Sequence, residues 1–269
     1  MDIVDRRFFL SELALASGAV LSPPATVSAQ QPGAAPEAWP DWLPLQDPVV
    51  VKEVVTVAHT DVTRVRELVD RQPALANATI DWGFGDWESA LGAASHTGRR
   101  EIAEILLAHG ARPSLFSAAM LGQLDVVKAF VAASPGVQRT LGPHGIPLMA
   151  HARAGGAGAA DVVKYLESVG DADRRPPSQP LEPADRNGVV GEYVFGIGER
   201  DRFVIDVRND QLGIGRAGQT RRVLIHTGEL VFFPSGVPSV RIAFARAGAR
   251  ATALTIADPD VFLTAKRPD

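Results

Sequence analysis

The chain contains no cysteine. That single absence excludes disulfides, thiolate metal sites, cysteine nucleophiles and cysteine-linked lipid anchors. An excess of basic charge is missing too, because 27 Lys and Arg face 31 Asp and Glu for a formal net charge of −4. Without a clustered basic face, nucleic acid is not expected as a partner. Long apolar runs are also lacking. The mildly apolar stretch 13–21 falls well short of the about 20 residues that a membrane span needs, so no span is expected in the mature chain. Catalytic signatures are scarce as well, with no His-Glu-x-x-His and no Gly-x-Ser-x-Gly elbow. Gly196-x-Gly198 and Gly213-x-Gly215 lie among short β runs with no following helix, so they read as strand bulges rather than phosphate loops. The expectation is therefore a binding protein and not an enzyme, with no cofactor and a protein as its partner.

What is present is ordinary globular sequence. The 269 residues are 46% hydrophobic and 22% charged, enough for two domains. At the N-terminus, Arg6-Arg7 precedes Phe8-Phe9-Leu10, and Val27-Ser28-Ala29 supplies the small residues of a cleavage site. Residues 1–29 resemble a twin-arginine (Tat) signal, although Asp5 stands where Ser or Thr is commoner. That resemblance implies a periplasmic or secreted protein. A loose Ala/Pro/Gln leader spans 30–49.

Internal repetition is the strongest pattern. In 89–111 a small-residue helix (Ser89-Ala90-Leu91-Gly92-Ala93-Ala94) ends at Gly98, and Ile102, Ile105 and Leu106 then form one stripe closed by Gly110-Ala111. The same grammar returns with Ala118-Ala119, Gly122 and Val126-Val127, and again with Pro147-Leu148, Ala152, Gly155 and Val162-Val163. A weaker first copy has Ala58, Asp61, Val65 and Leu68. These elements resemble the ankyrin repeat family over residues 50–173. The resemblance implies an ankyrin-like α-solenoid of about four helix pairs, with protein recognition as its role. Two departures stand out. The family's histidine slot holds Gly92, Phe116 and Met149, and Gly98 and Gly122 lie closer than the usual period of about 33 residues. A tight turn around Pro113 is expected in place of a finger between those copies, and a generic array of helical hairpins is the alternative fold.

Residues 174–187, with Arg174-Arg175-Pro176-Pro177, Pro180 and Pro183, read as a proline-rich linker. Beyond it, eight short β runs are expected near 191–197, 203–207, 211–216, 221–226, 229–233, 240–245, 251–256 and 261–265. Turn signals at Asn209-Asp210 and Thr227-Gly228 support an antiparallel β meander or small barrel over 188–269. The order Gly191-x-Tyr193, Leu212, Leu224, Phe233-Pro234, Phe244 and Ala265-Lys266-Arg267 resembles accessory β domains of periplasmic hydrolases, and the layout is also lipocalin-like. The overall expectation is α + β in separate domains.

Trp82, Phe84 and Trp87 share one glycine-flexed loop ahead of the second copy, which makes them candidate partner anchors or caps of the weak first copy. The alternative function is a small-ligand carrier or enzyme with its site in the β domain, lined by Phe203, His226, Phe232 and Phe233. His144 and His151 flank Pro147-Leu148 and could meet a metal with Asp161, but backbone hydrogen bonding in turns is the plainer role. His96 and His109 read as surface residues at helix ends. No metal ligand set is assigned.

Overall fold

A computed structural model describes residues 44–258 and 261–268. The twin-arginine signal and most of the leader lie outside the described residues. Eight helices come first: α1 (Pro48–Val57), α2 (Val62–Arg71), α3 (Ala90–His96), α4 (Arg100–Ala108), α5 (Leu115–Met120), α6 (Leu124–Ala133), α7 (Leu148–Ala154) and α8 (Ala160–Val169). A two-stranded hairpin, β1 (Thr79–Asp81) and β2 (Trp87–Ser89), lies between α2 and α3.

Local chemistry sets the helix starts. The Asp61 carboxylate accepts the N–H of Arg64 at 2.9 Å, and the Ser89 hydroxyl accepts that of Gly92 at 3.0 Å. Ser114 and Ser117 form a reciprocal capping box at α5. Gly98 and Gly122 take positive φ between paired helices, and a Cβ on Gly98 would collide with the carbonyl of Ala154 at the end of α7, one on Gly122 with that of Gly158 before α8. The inner helices α1, α3, α5 and α7 pack side by side, as do the outer pairs α2–α4 and α6–α8. Residues 90–95 of α3 are buried throughout, which is why they are so small.

Helices and a separate β part are present as expected, but the ankyrin assignment is corrected. The helix pairs are joined in three different ways: a β hairpin before α3, a short connection at 109–114 before α5, and 3-10 turns with a Leu141–Pro147 bridge before α7. The connection around Pro113 is short, as expected, but its turn lies at His109-Gly110, and residues 111–114 run without a turn.

All eight expected strands form: β3 (Gly191–Val194), β4 (Arg202–Arg208), β5 (Gln211–Gly215), β6 (Arg222–Gly228), β7 (Val231–Pro234), β8 (Arg241–Ala247), β9 (Arg250–Asp258) and β10 (Val261–Lys266). Each pairs antiparallel with its sequence neighbour, and β10 returns to β3, so the meander closes into a barrel. Closure removes the free edges that an open meander would expose. The interior is filled by side chains. Tyr193, Phe232 and Phe244 pack edge to face, with Ile205, Ile242 and Leu254 also buried. The Tyr193 hydroxyl donates to the Val189 carbonyl at 2.7 Å, and Arg267 donates to that hydroxyl at 2.9 Å.

The segment 174–187 lies against the barrel. The Gln179 N–H donates to the His226 carbonyl at 2.8 Å, and a further helix, α9 (Pro183–Val189), begins within it. There Asp185 pairs with Arg246 and Arg186 with Asp210. Among the described residues, no helix is long and apolar enough to cross a membrane.

Candidate metal centre

Stacking of the first two helix pairs brings together histidines that are far apart in sequence. His59 follows Ala58, the C-cap of α1, and His96 is the last residue of α3. Their rings lie 5.0 Å apart, nearly perpendicular. Glu88 reaches the same point from β2 with no solvent exposure. His144 arrives from the 3-10 turn Pro143–Gly145, its ring 5.5 Å from that of His96. One ligand atom from each of His59, Glu88, His96 and His144 lies within 4.8 Å of all the others.

The hydrogen bonds on the far side of the rings decide which nitrogens are free. Nδ1 of His59 faces the carbonyls of Val55 and Thr56 at 3.1 and 3.0 Å. Carbonyls only accept, so Nδ1 carries the proton and Nε2 keeps its lone pair toward the cluster. Nδ1 of His144 donates to Asp86 Oδ2 at 2.7 Å, and in the metal-free protein its Nε2 carries a second proton toward Glu88 that a bound metal ion would displace. Nε2 of His144 then lies 3.4 Å, and Nε2 of His59 3.5 Å, from Glu88 Oε2. Nε2 of His96 is 2.9 Å from Glu88 Oε1. The Trp82 indole N–H donates to Glu88 Oε2 at 2.6 Å and fixes the carboxylate from behind.

His144 adopts φ 60°, a left-handed conformation uncommon outside glycine. Asp86 enforces it by accepting the His144 backbone N–H through Oδ1 at 2.8 Å and the ring N–H through Oδ2. Asp86 in turn is paired with Arg222 of β6, and Arg222 also donates to the Ser235 carbonyl. A carboxylate behind a ligand histidine orients the ring and raises its basicity, as in metalloprotein second shells.

Charge balance follows from this packing. Burial alone would raise the Glu88 carboxyl, but hydrogen bonds from His144 and His96 outweigh it and hold it down at about 2. Burial alone would lower His144, yet hydrogen bonds to Asp86 and Glu88 push it up to about 9. Burial also opposes ionisation of Asp86, but its hydrogen bonds with His144 and the charge of Arg222 keep it below the ordinary carboxylate range. The pocket thus holds two buried carboxylates and favours a cation beside them. The side chains of His59 and His144 remain 24% and 25% exposed, so the cluster can be reached from solvent.

The other singled-out residues fall in separate places. His151 is fully buried and lies against Phe116 at 4.7 Å, and neither ring nitrogen has a partner among the described residues. Burial, reinforced by nearby His96, lowers its pKa to about 3, so it is a neutral core residue. Asp161 pairs with Lys164 on the surface of α8, so the grouping of His144, His151 and Asp161 does not form. His109 bridges α4 to Asp70 of α2 at 2.9 Å, near the surface as expected. His96, whose side chain is 11% exposed, sits inside the cluster rather than on the surface.

The aromatic loop divides three ways. Trp82 packs on the helical core, Phe84 packs on the barrel core, and Trp87 is 62% exposed. In the barrel, Phe232 is interior, with the His226 ring 5.1 Å away, and Phe233 is its buried neighbour. Phe203 lies on β4 and faces a different cleft, with Trp82.

A sequence signal for the cluster does exist. His59-Thr60 and His96-Thr97 recur two residues before the helix-ending position, Asp61 or Gly98, in successive copies. Equivalent positions in stacked pairs become neighbours, so a repeated histidine there forms a pair. Glu88 and His144 carry no such periodic mark.

Compared with protein-family models, curated proteins and solved structures, the chain matches none. The absence of any ankyrin match, together with the irregular joins between helix pairs, overturns the ankyrin resemblance. No relative supports the likeness of the barrel to hydrolase accessory domains or lipocalins either.

Proposed function

We propose that the protein binds one divalent first-row transition metal ion, of the zinc class, through His59, Glu88, His96 and His144. The observation that carries this reading is the convergence of three imidazole nitrogens and one buried carboxylate within 4.8 Å. Three nitrogens and one oxygen suit zinc and its neighbours, whereas calcium and magnesium prefer all-oxygen shells. The backbone carbonyls behind His59 and the Asp86 carboxylate behind His144 supply the outer hydrogen bonds that ligand histidines need. The resemblance of residues 1–29 to a Tat signal fits this role, because that route carries folded, sometimes cofactor-loaded proteins.

Elemental analysis and calorimetric titration with Zn²⁺ test the reading. One equivalent bound, with His96→Ala and Glu88→Gln each weakening affinity by about tenfold or more, is expected. Cobalt-loaded protein should show the visible spectrum of a nitrogen/oxygen site. Unchanged affinity in both variants would overturn the reading.

A second reading, recognition of a protein partner, is supported by Trp87. This large aromatic is left 62% exposed at the edge of the hairpin, as interface anchors often are. Crosslinking at position 87 would identify such a partner, and no Trp87-dependent adduct would count against it.

A further inference from the structure

We propose that the cleft between the β1–β2 loop and the barrel binds a small planar aromatic anion. The inference does not depend on the metal reading, although Trp82 and Arg222 border both sites. The cleft has a volume of about 440 Å³, within the usual size of small-molecule sites. Both parts of the chain build it: Lys52 of α1, Trp82 and Phe84 of the loop, and Phe203, Arg216 and Thr220 of the barrel.

Shape argues for a flat ring. Trp82, Phe84 and Phe203 are each half-buried. The first is anchored in the helical core and the other two in the barrel core, so each lines the cleft from a fixed position. Three aromatic walls held from behind lose little freedom when a planar ligand enters. Gly83, Gly215 and Gly218 complete the lining, and a Cβ at any of them would meet nothing closer than 3.8 Å.

Charge argues for an anion. The Lys52 ammonium is exposed and has no side-chain partner among the described residues. Arg216 adds a second cation, partly offset by Asp201 at 3.2 Å. Arg222 also lines the cleft and is paired with Asp86. Asp81 is the carboxylate on the wall, and its Oδ1 is already engaged by the N–H groups of Gly83 and Gly85 at 2.8 and 3.0 Å. Arg216 and Arg222 are thus paired and Lys52 is, among the described residues of the lining, the cation without a partner, so a negative group of the ligand is expected beside Lys52. Trp82 is shared between the two sites, since its ring lines the cleft while its indole N–H holds Glu88.

The test is calorimetric titration of the full chain, with chelator present, using 2-naphthoate and its neutral analogue 2-naphthamide. One-to-one binding of naphthoate is expected, with the amide weaker by about tenfold or more. Lys52→Ala should reduce naphthoate affinity about fivefold or more and leave the amide unchanged. Thr220→Trp, at an exposed position, should fill the cleft and remove binding of both while the far-ultraviolet spectrum stays the same. Equal affinity for the two probes would overturn the proposal. So would absent binding at millimolar naphthoate, or undiminished binding in Thr220→Trp. Should Thr220→Trp alter the fold, the charge test with exposed Lys52 still decides.

Discussion

Arg222 of the barrel and Asp86 of the hairpin loop form a buried ion pair across 136 residues of sequence, each less than a tenth exposed. The pair stands directly behind His144. It joins the helical stack to the barrel and orients one candidate metal ligand in the same contact.

Replacing Arg222 by alanine leaves Asp86 buried with only His144 beside it. Loss of one partner from a buried pair costs about 3–5 kcal/mol, toward the lower end here because His144 still donates to Asp86. Urea unfolding measures this loss. Zinc affinity should fall with it, by about 10-fold or more, because the outer carboxylate loses its anchor. A stability loss with zinc affinity unchanged would show that Arg222 serves the fold alone.

Zinc itself should stabilise the protein. At a free concentration one hundred times the dissociation constant, binding to the folded state alone adds about 2.7 kcal/mol. Thermal melts with and without zinc read this directly. The gain should vanish in His96→Ala, and a metal-induced shift that persists there would place the ion elsewhere.

Acid should destabilise the protein through His151. Its folded pKa is about 3, below the ordinary value near 6.5, so the unfolded state takes up a proton that the folded state refuses. The associated stability is complete above pH about 6.5 and is lost progressively as pH falls toward 3. Denaturant titrations of metal-free protein across this window should show the decline. It should be shallower in His151→Leu, and identical slopes would disprove the assignment.

The two tryptophans of the loop should behave differently. Trp82 is half-buried and hydrogen-bonded to Glu88, so Trp82→Ala should cost about 2–4 kcal/mol, below the range for a fully buried tryptophan. Trp87 is mostly exposed, and Trp87→Ala should change stability by no more than about 0.5 kcal/mol. If Trp87 anchors a protein partner, the same substitution should weaken that complex by about 2 kcal/mol or more. Parallel melts and binding measurements separate the two residues.

Helical period, glycine punctuation and alternating β runs are local properties, and the sequence alone determined the elements built from them. The paired helices, the short connection before α5 and all eight strands were legible there, because helix caps and hairpin turns act between residues a few positions apart. The buried positions of Leu106 and Val127 followed from the same periodicity. The family likeness was not equally secure. Alanine pairs and glycine turns arise wherever small helices pack closely, so they mark the packing and not the ancestry.

Only the tertiary structure decided the metal centre and the aromatic cleft. His59, Glu88 and His144 come from three different connections and His96 from the end of α3, and their spacing matches no ligand motif. The repeated His-Thr dipeptide hinted at one pair, but Glu88 and His144 meet it only because the hairpin and the Pro143 turn close over the stack. Asp86 then needs Arg222 from a strand more than a hundred residues away to hold His144 in its left-handed turn. Such sites depend on distance in space, which is set when the two cores pack together, and no local pattern along the chain encodes it.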